Sequence, residues 1–184
     1  MMSNNNSLHT LMLDEMRDLY DAEKQLVKAL PKMAEGASSA DLRKAIESHL
    51  VETRGHVQRL ERAFEALGEP AKGKRCTGIA GIIEEGASLL KNGFAGAVLD
   101  AGIIAGAQRA EHYETAAYGN VLAWARAMGH EEVAELFHAT LEEEKAANDE
   151  LTAIGEGGIN EEAAAGAMDD ESTSARAKSP RAKK

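Results

Sequence analysis

A chain of 184 residues suits one domain with a sizeable buried core, and 4% aromatics, three prolines and abundant Ala, Leu, Glu and Lys favour helices packed on helices. The net charge of −10, with Arg176, Lys178, Arg181, Lys183 and Lys184 gathered at the end, leaves an acidic body that argues against nucleic acid as the main partner, weak contact through the basic tail apart. No apolar run approaches membrane-spanning length, no signal peptide is recognisable, and the single Cys76 rules out an internal disulfide framework, so a reducing, cytoplasmic location is expected.

Residues 1–7 are polar and read as a flexible N-terminus, with Asn6 or Ser7 to cap the first helix. Met12, Met16, Leu19, Glu23, Leu26, Leu30 and Met33 then recur at threes and fours, one face of a helix to about Glu35. A carboxylate, Glu23, stands where an apolar residue belongs. Pro31 removes the hydrogen bond to the Val27 carbonyl, which predicts a kink or an early end. After a turn at residues 36–39, with Ser39 as cap, a second helix spans about 40–67 and stops at Gly68, with Pro70 beyond. Leu42, Ile46, Leu60, Ala63 and Phe64 form its packing face, and in its middle the pattern turns polar. His49, Glu52 and His56 fall at i, i+3 and i+7 on one stripe, and a Glu and a His one turn apart can reach the same metal. Each histidine alone also fits a surface or a hydrogen-bonded core position.

Residues 71–77 read as a connection, followed by a short helix marked by Ile79, Ile82, Ile83, Leu89 and Leu90 and ending near Gly93. Its Glu85 lies near Ile82 and Leu89 and is a further inward candidate, with a solvated rim position as the alternative. A connection of this length belongs to a four-helix bundle with a long crossover. The third long helix covers about 94–128, where Gly96, Gly102 and Gly106 suggest close backbone packing. On its stripe of Ile104, Ala107, Glu111, Glu114, Tyr118, Val121 and Leu122, two carboxylates one turn apart interrupt the face meant for a core. The last helix runs about 131–154 on Leu136, Phe137, Leu141, Leu151 and Ile154, and Glu144 continues that face, with Glu143 its nearest rival. From Gly155 the periodicity is lost, and residues 156–184 read as a disordered tail.

Each long helix thus carries acid on its inner face: Glu23, Glu52, Glu111 with Glu114, and Glu144. Two carboxylates about 4 Å apart repel by roughly 4 kcal/mol at an effective dielectric near 20, a large fraction of a domain's net stability. Divalent cations relieve that repulsion, and oxygen-rich donors with one or two imidazoles, from His49 or His56, suit iron or manganese better than zinc. Tyr20 and Tyr118 lie close to the acidic stripes, as hydrogen-bond partners of the ligands or as core fillers.

The segments Asp18-Leu-Tyr-Asp-Ala-Glu-Lys-Gln-Leu26, His49-Leu-Val-Glu-Thr53, Glu111-His-Tyr-Glu-Thr-Ala-Ala-Tyr118 and Leu141-Glu-Glu-Glu-Lys-Ala146 resemble the YciE/YciF family of ferritin-like stress proteins. The resemblance covers about Leu8 to Ile154 in the same order. It implies an all-α ferritin-like four-helix bundle, a homodimer, a non-haem di-iron centre with two irons per chain, and a link to bacterial stress. The wider ferritin-like class places Glu-x-x-His on its second and fourth long helices. Here, three residues past Glu52 stands Gly55 and three past Glu144 stands Ala147, while Glu111-x-x-Glu114 is similar to the rubrerythrin variant. The expected activity is oxidation of ferrous iron by dioxygen or peroxide, with manganese as the alternative metal. Metal sequestration without turnover and a metal-free structural or interaction role are the competing readings.

Overall fold

The computed structural model describes residues 7–166. Five α-helices follow one another: α1 Leu8–Gly36, α2 Ala40–Ala66, α3 Thr77–Leu89, α4 Gly96–Ala127 and α5 Glu131–Ile154. Local chemistry sets their starts. The Ser7 side chain accepts from the Thr10 backbone N–H, and the Ser39 side chain accepts from that of Leu42. Between α4 and α5 the chain reverses at Gly129, whose φ of 74° favours a residue without a Cβ. α1 continues through Pro31 to Gly36, so the proline neither ends the helix nor shortens its apolar stripe.

Two apolar clusters give the topology. One joins the first half of α1 to the second halves of α2 and α4 and the start of α5, through Met12, Met16, Phe64, Tyr118, Val121 and Phe137. The other joins the opposite halves, through Leu26, Leu30, Leu42, Ile46, Ile103 and Leu151, and includes Ile79 of α3. Consequently α1 and α5 run one way and α2 and α4 the other. Neighbours around the bundle, α1 with α2, α2 with α5, α5 with α4 and α4 with α1, are all antiparallel. Because α2 and α4 are parallel, the chain between them must travel the length of the bundle, and α3 lies on that path against α4 and α1. This is the ferritin-like bundle with a long crossover and a short fifth helix.

The end of the fourth long helix departs from expectation. Helix continues past Ile154 through a π-helical turn, Gly155–Ile159, and on over residues 160–166, where the sequence predicts disorder. Burial against α4 overrides the weak local propensity: Gly155 is buried beside Ile104, and Ile159 packs on the second apolar cluster. Gly158, at φ 141°, absorbs the change of direction. The rest of the predicted tail and residues 1–6 lie outside the described residues. Among the described residues, no helix is long and apolar enough to cross a membrane.

Candidate metal centre

Between the two apolar clusters lies a polar layer. Glu23 of α1, His49, Thr53 and His56 of α2, Glu111 and Glu114 of α4, and Thr140 and Glu144 of α5 are all buried. At about 100° per residue, His49, Thr53 and His56 share an arc of roughly 60° on α2, so one stripe delivers both imidazoles to the bundle axis. Two overlapping groups of donors result. His49, Glu111, Glu114 and Glu144 each offer an atom within 4.8 Å of the others, and so do Glu23, His56 and Glu144.

Glu144 belongs to both groups. Its Oε2 lies 3.7 Å from His49 Nε2, and its Oε1 lies 2.9 Å from His56 Nδ1. On the first side His49 Nε2 is also 3.4 Å from Glu111 Oε1; on the second, His56 Nδ1 is 3.4 Å from Glu23 Oε1. A carboxylate facing two histidines with separate oxygens has the form of a bridge between two cation positions.

The outer nitrogen of each histidine meets a further acid. His56 Nε2 lies 2.9 Å from Glu143 Oε2, and Glu143 is clamped by Arg59, whose Nη2 donates to its Oε1 at 2.7 Å. If His56 Nε2 carries the proton and donates it to Glu143, Nδ1 keeps its lone pair toward Glu23 and Glu144. His49 Nδ1 lies 3.4 Å from Glu52 Oε2 in the same sense. Tyr118, fully buried, donates its O–H to Glu23 Oε1 at 2.5 Å.

Burial is costly for this much acid. It pushes Glu114 well above the usual carboxylate range, with Glu144, Glu23 and Glu111 adding repulsion. Glu111 is pushed up to about 10, by burial first and then by Glu144, and burial also raises Glu23. For His56, burial opposes the charge, but the adjacent Glu144 and Glu23 carboxylates outweigh it and push the imidazole up to about 11. The same imidazolium holds Glu144 below its ordinary value against burial, and Arg59 holds Glu143 low.

Several atoms still lack a hydrogen-bond partner: one oxygen each of Glu23 and Glu111, both of Glu114 and both of Glu144, six in all, together with His56 Nδ1. His56 Nδ1 sits close to two carboxylates, Glu144 at 2.9 Å and Glu23 at 3.4 Å, without the alignment of a hydrogen bond to either. Buried polar atoms are rarely left in this state.

The remaining predicted positions fall elsewhere. Glu52 does not converge with the inner donors; its side chain is 41% exposed on the flank of α2, outside His49. Glu143 likewise faces Arg59 and the outer side of His56. Glu85 stands on the rim, 69% exposed and 3.9 Å from Arg109. Tyr20 turns from the layer and donates to Glu61 at 2.8 Å. Arg59 was not among the predicted residues, although its position one turn beyond His56 was a usable signal. Nor was Tyr113, whose O–H donates to Asp18 at 2.8 Å beside the buried Cys76 thiol. Of the three glycines early in α4, only Gly102 is explained by close packing: a Cβ there would meet Leu89 at 2.7 Å.

Comparison with known proteins gives this chain a family. Residues 7–164 match the family described as domain of unknown function DUF892. Protein YciF of Escherichia coli K12 is 35% identical over 161 residues, 87% of this chain and 97% of that protein. The crystal structure of E. coli stress protein YciF superimposes with a TM-score of 0.81, covering 84% of this chain and 98% of that one at 35% identity. YcfI of Rhodopseudomonas palustris, given as a candidate structural protein, is 41% identical with a TM-score of 0.79, over 83% and 97% of the two chains. A Xanthomonas campestris pv. campestris protein at 20% identity and a TM-score of 0.64, over 82% and 92%, shares the fold. With family, sequence and fold in agreement, the chain belongs to the YciE/YciF family of stress proteins.

Proposed function

We propose that the buried layer is a di-metal carboxylate site, for two irons per chain or for manganese, and that the protein oxidises ferrous iron with dioxygen or peroxide. The observation that carries this reading is the set of six unpartnered buried carboxylate oxygens and one imidazole nitrogen, gathered from four helices. The residues fit such metals: oxygen-rich, with one imidazole on each side and no thiolate among the donors. Glu111, Glu114 and His49 would hold one ion, Glu23 and His56 the other, and Glu144 both. Bound there, the metals would supply the redox chemistry toward dioxygen or peroxide.

The chain's own groups prepare the site. Glu143, fixed by Arg59, orients His56 so that Nδ1 faces inward, and Glu52 does the same for His49 more loosely. Tyr118 donates a proton to the hydrogen bond with Glu23 and restrains that carboxylate on one oxygen. The apolar clusters at both ends limit water, which strengthens every electrostatic interaction in the layer. A homodimer, to be checked by analytical ultracentrifugation, is part of the proposal.

A metal-free structural role is the competing reading, and one observation favours it. Charged His56 lies among Glu23, Glu143 and Glu144 and compensates part of their charge by itself. The deciding experiment is elemental analysis of the full chain purified anaerobically with ferrous iron, beside a folded Glu111→Ala/Glu144→Ala variant. The expected outcome is about two irons per chain in the parent and almost none in the variant, in line with a two-ion carboxylate site. Equal trace metal in both overturns the reading. Accelerated consumption of dioxygen or peroxide by the loaded parent then separates oxidation from sequestration.

A further inference from the structure

A cavity of about 310 Å³ opens between α1, α3 and α4 and runs inward to the acidic layer. Leu26, Leu30 and Met33 of α1, Ile82 and Ile83 of α3, and Leu90 just past the end of α3 make its walls. Its inner end is formed by His49, Glu111 and Glu114, and its rim carries Lys28 and Lys32, both exposed. The void exists because α4 presents small residues to it. Gly106 is buried, yet a Cβ placed there would meet nothing within 4 Å, so it borders empty space. The volume sits at the lower end of the roughly 300–1,000 Å³ usual for small-molecule sites, and apolar walls with a few polar groups at the ends are their usual chemistry.

We propose that this cavity binds a medium-chain monocarboxylate, with its hydrocarbon chain along the α1, α3 and α4 walls and its head group at Lys28 and Lys32. The direction follows from charge. Lys28 and Lys32, one turn apart on α1, form no ion pair among the described residues and are the only lysines or arginines lining the cavity, whereas the inner end is lined by the acids Glu111 and Glu114. The far end of the chain therefore faces Glu114 and His49. As a substrate site the cavity rests on the di-metal reading; as a binding site it does not.

The test is calorimetric titration of decanoate into the full chain, metal-free and iron-loaded, with decyltrimethylammonium as the opposite-charge probe. Saturable decanoate binding at one per chain is expected in both forms, with no saturable binding of the cation. Lys28→Glu/Lys32→Glu should weaken decanoate by about tenfold or more, as loss of two partly exposed charge contacts predicts. Gly106→Phe should abolish binding by filling the cavity, while Gly106→Ala, which tests the helix alone, should retain it. The proposal is overturned if decanoate does not saturate the parent, if cation and anion bind alike, or if Gly106→Phe binds as the parent does. Metal analysis on the same samples keeps the two ideas apart: two irons without decanoate binding removes only this inference, and decanoate binding without iron removes only the di-metal site.

Discussion

The apolar clusters and the polar layer between them are built by the same four helices, yet they hold together for opposite reasons. In the clusters, Met12, Phe64, Val121 and Phe137 bury apolar surface, and each contact adds to stability by itself. In the layer, Glu111, Glu114 and Glu144 sit where such residues would pack; burial and neighbouring carboxylates raise the cost of charge on Glu111 and Glu114, and of the three only Glu144 is held low, by His56. Stability is therefore supplied at the two ends and consumed in the middle, which is the pattern of a site kept for its chemistry.

The comparison breaks most visibly at Phe137. Phe137→Ala should lower stability by about 3–5 kcal/mol, read by chemical unfolding, while leaving the metal bound per folded chain unchanged. Next in size, Glu114→Gln should do the reverse. Removing an acid with two unpartnered oxygens should raise the stability of the metal-free protein by about 1–3 kcal/mol and lower metal retention. Glu143→Gln should weaken metal binding about 10- to 100-fold in competition with a chelator, because His56 loses its outer partner. Glu52→Gln should cost less, its contact with His49 being 3.4 Å long and half exposed.

The smallest effect per unit is that of pH on the metal-free protein. Glu111, raised from 4.5 to about 10, keeps a proton in the folded state that the unfolded chain has lost, so its contribution falls as pH rises through that interval. His56, raised from 6.5 to about 11, stabilises fully below 6.5 and loses its contribution as pH climbs through 11. Glu143 and Glu144, held low, act the other way only below the ordinary carboxylate value. From about pH 5 to pH 9 the unfolding free energy should fall, by at most about 1.4 kcal/mol per pH unit for each proton involved, and the melting temperature with it. Metal-loaded protein should lose this slope, since metal binding displaces the same protons. A flat profile in the metal-free form would show that the layer is solvated.

The four helical stripes and the acids within them were legible from the chain alone, because a 3.6-residue period and the cost of a buried carboxylate are local facts. Glu23, Glu111, Glu114 and Glu144 could be read inward for that reason, as could the caps at Ser7 and Ser39. Three matters lay beyond such reasoning. Whether Glu52 or Glu143 reaches the axis depends on where a flank residue meets its neighbour: Glu52 ends outside His49, and Glu143 is captured by Arg59 across the α2–α5 contact. Tyr20 and Tyr118 look alike in sequence, but only Tyr118 has an inner acid opposite it. The helix beyond Gly155 forms against local propensity because α4 offers Gly155 and Ile159 a place to pack. Sequence determined which faces turn inward and that they carry charge. Tertiary structure decided which charges meet, because meeting requires side chains from different helices to arrive at one point, and no single helix's periodicity contains that distance.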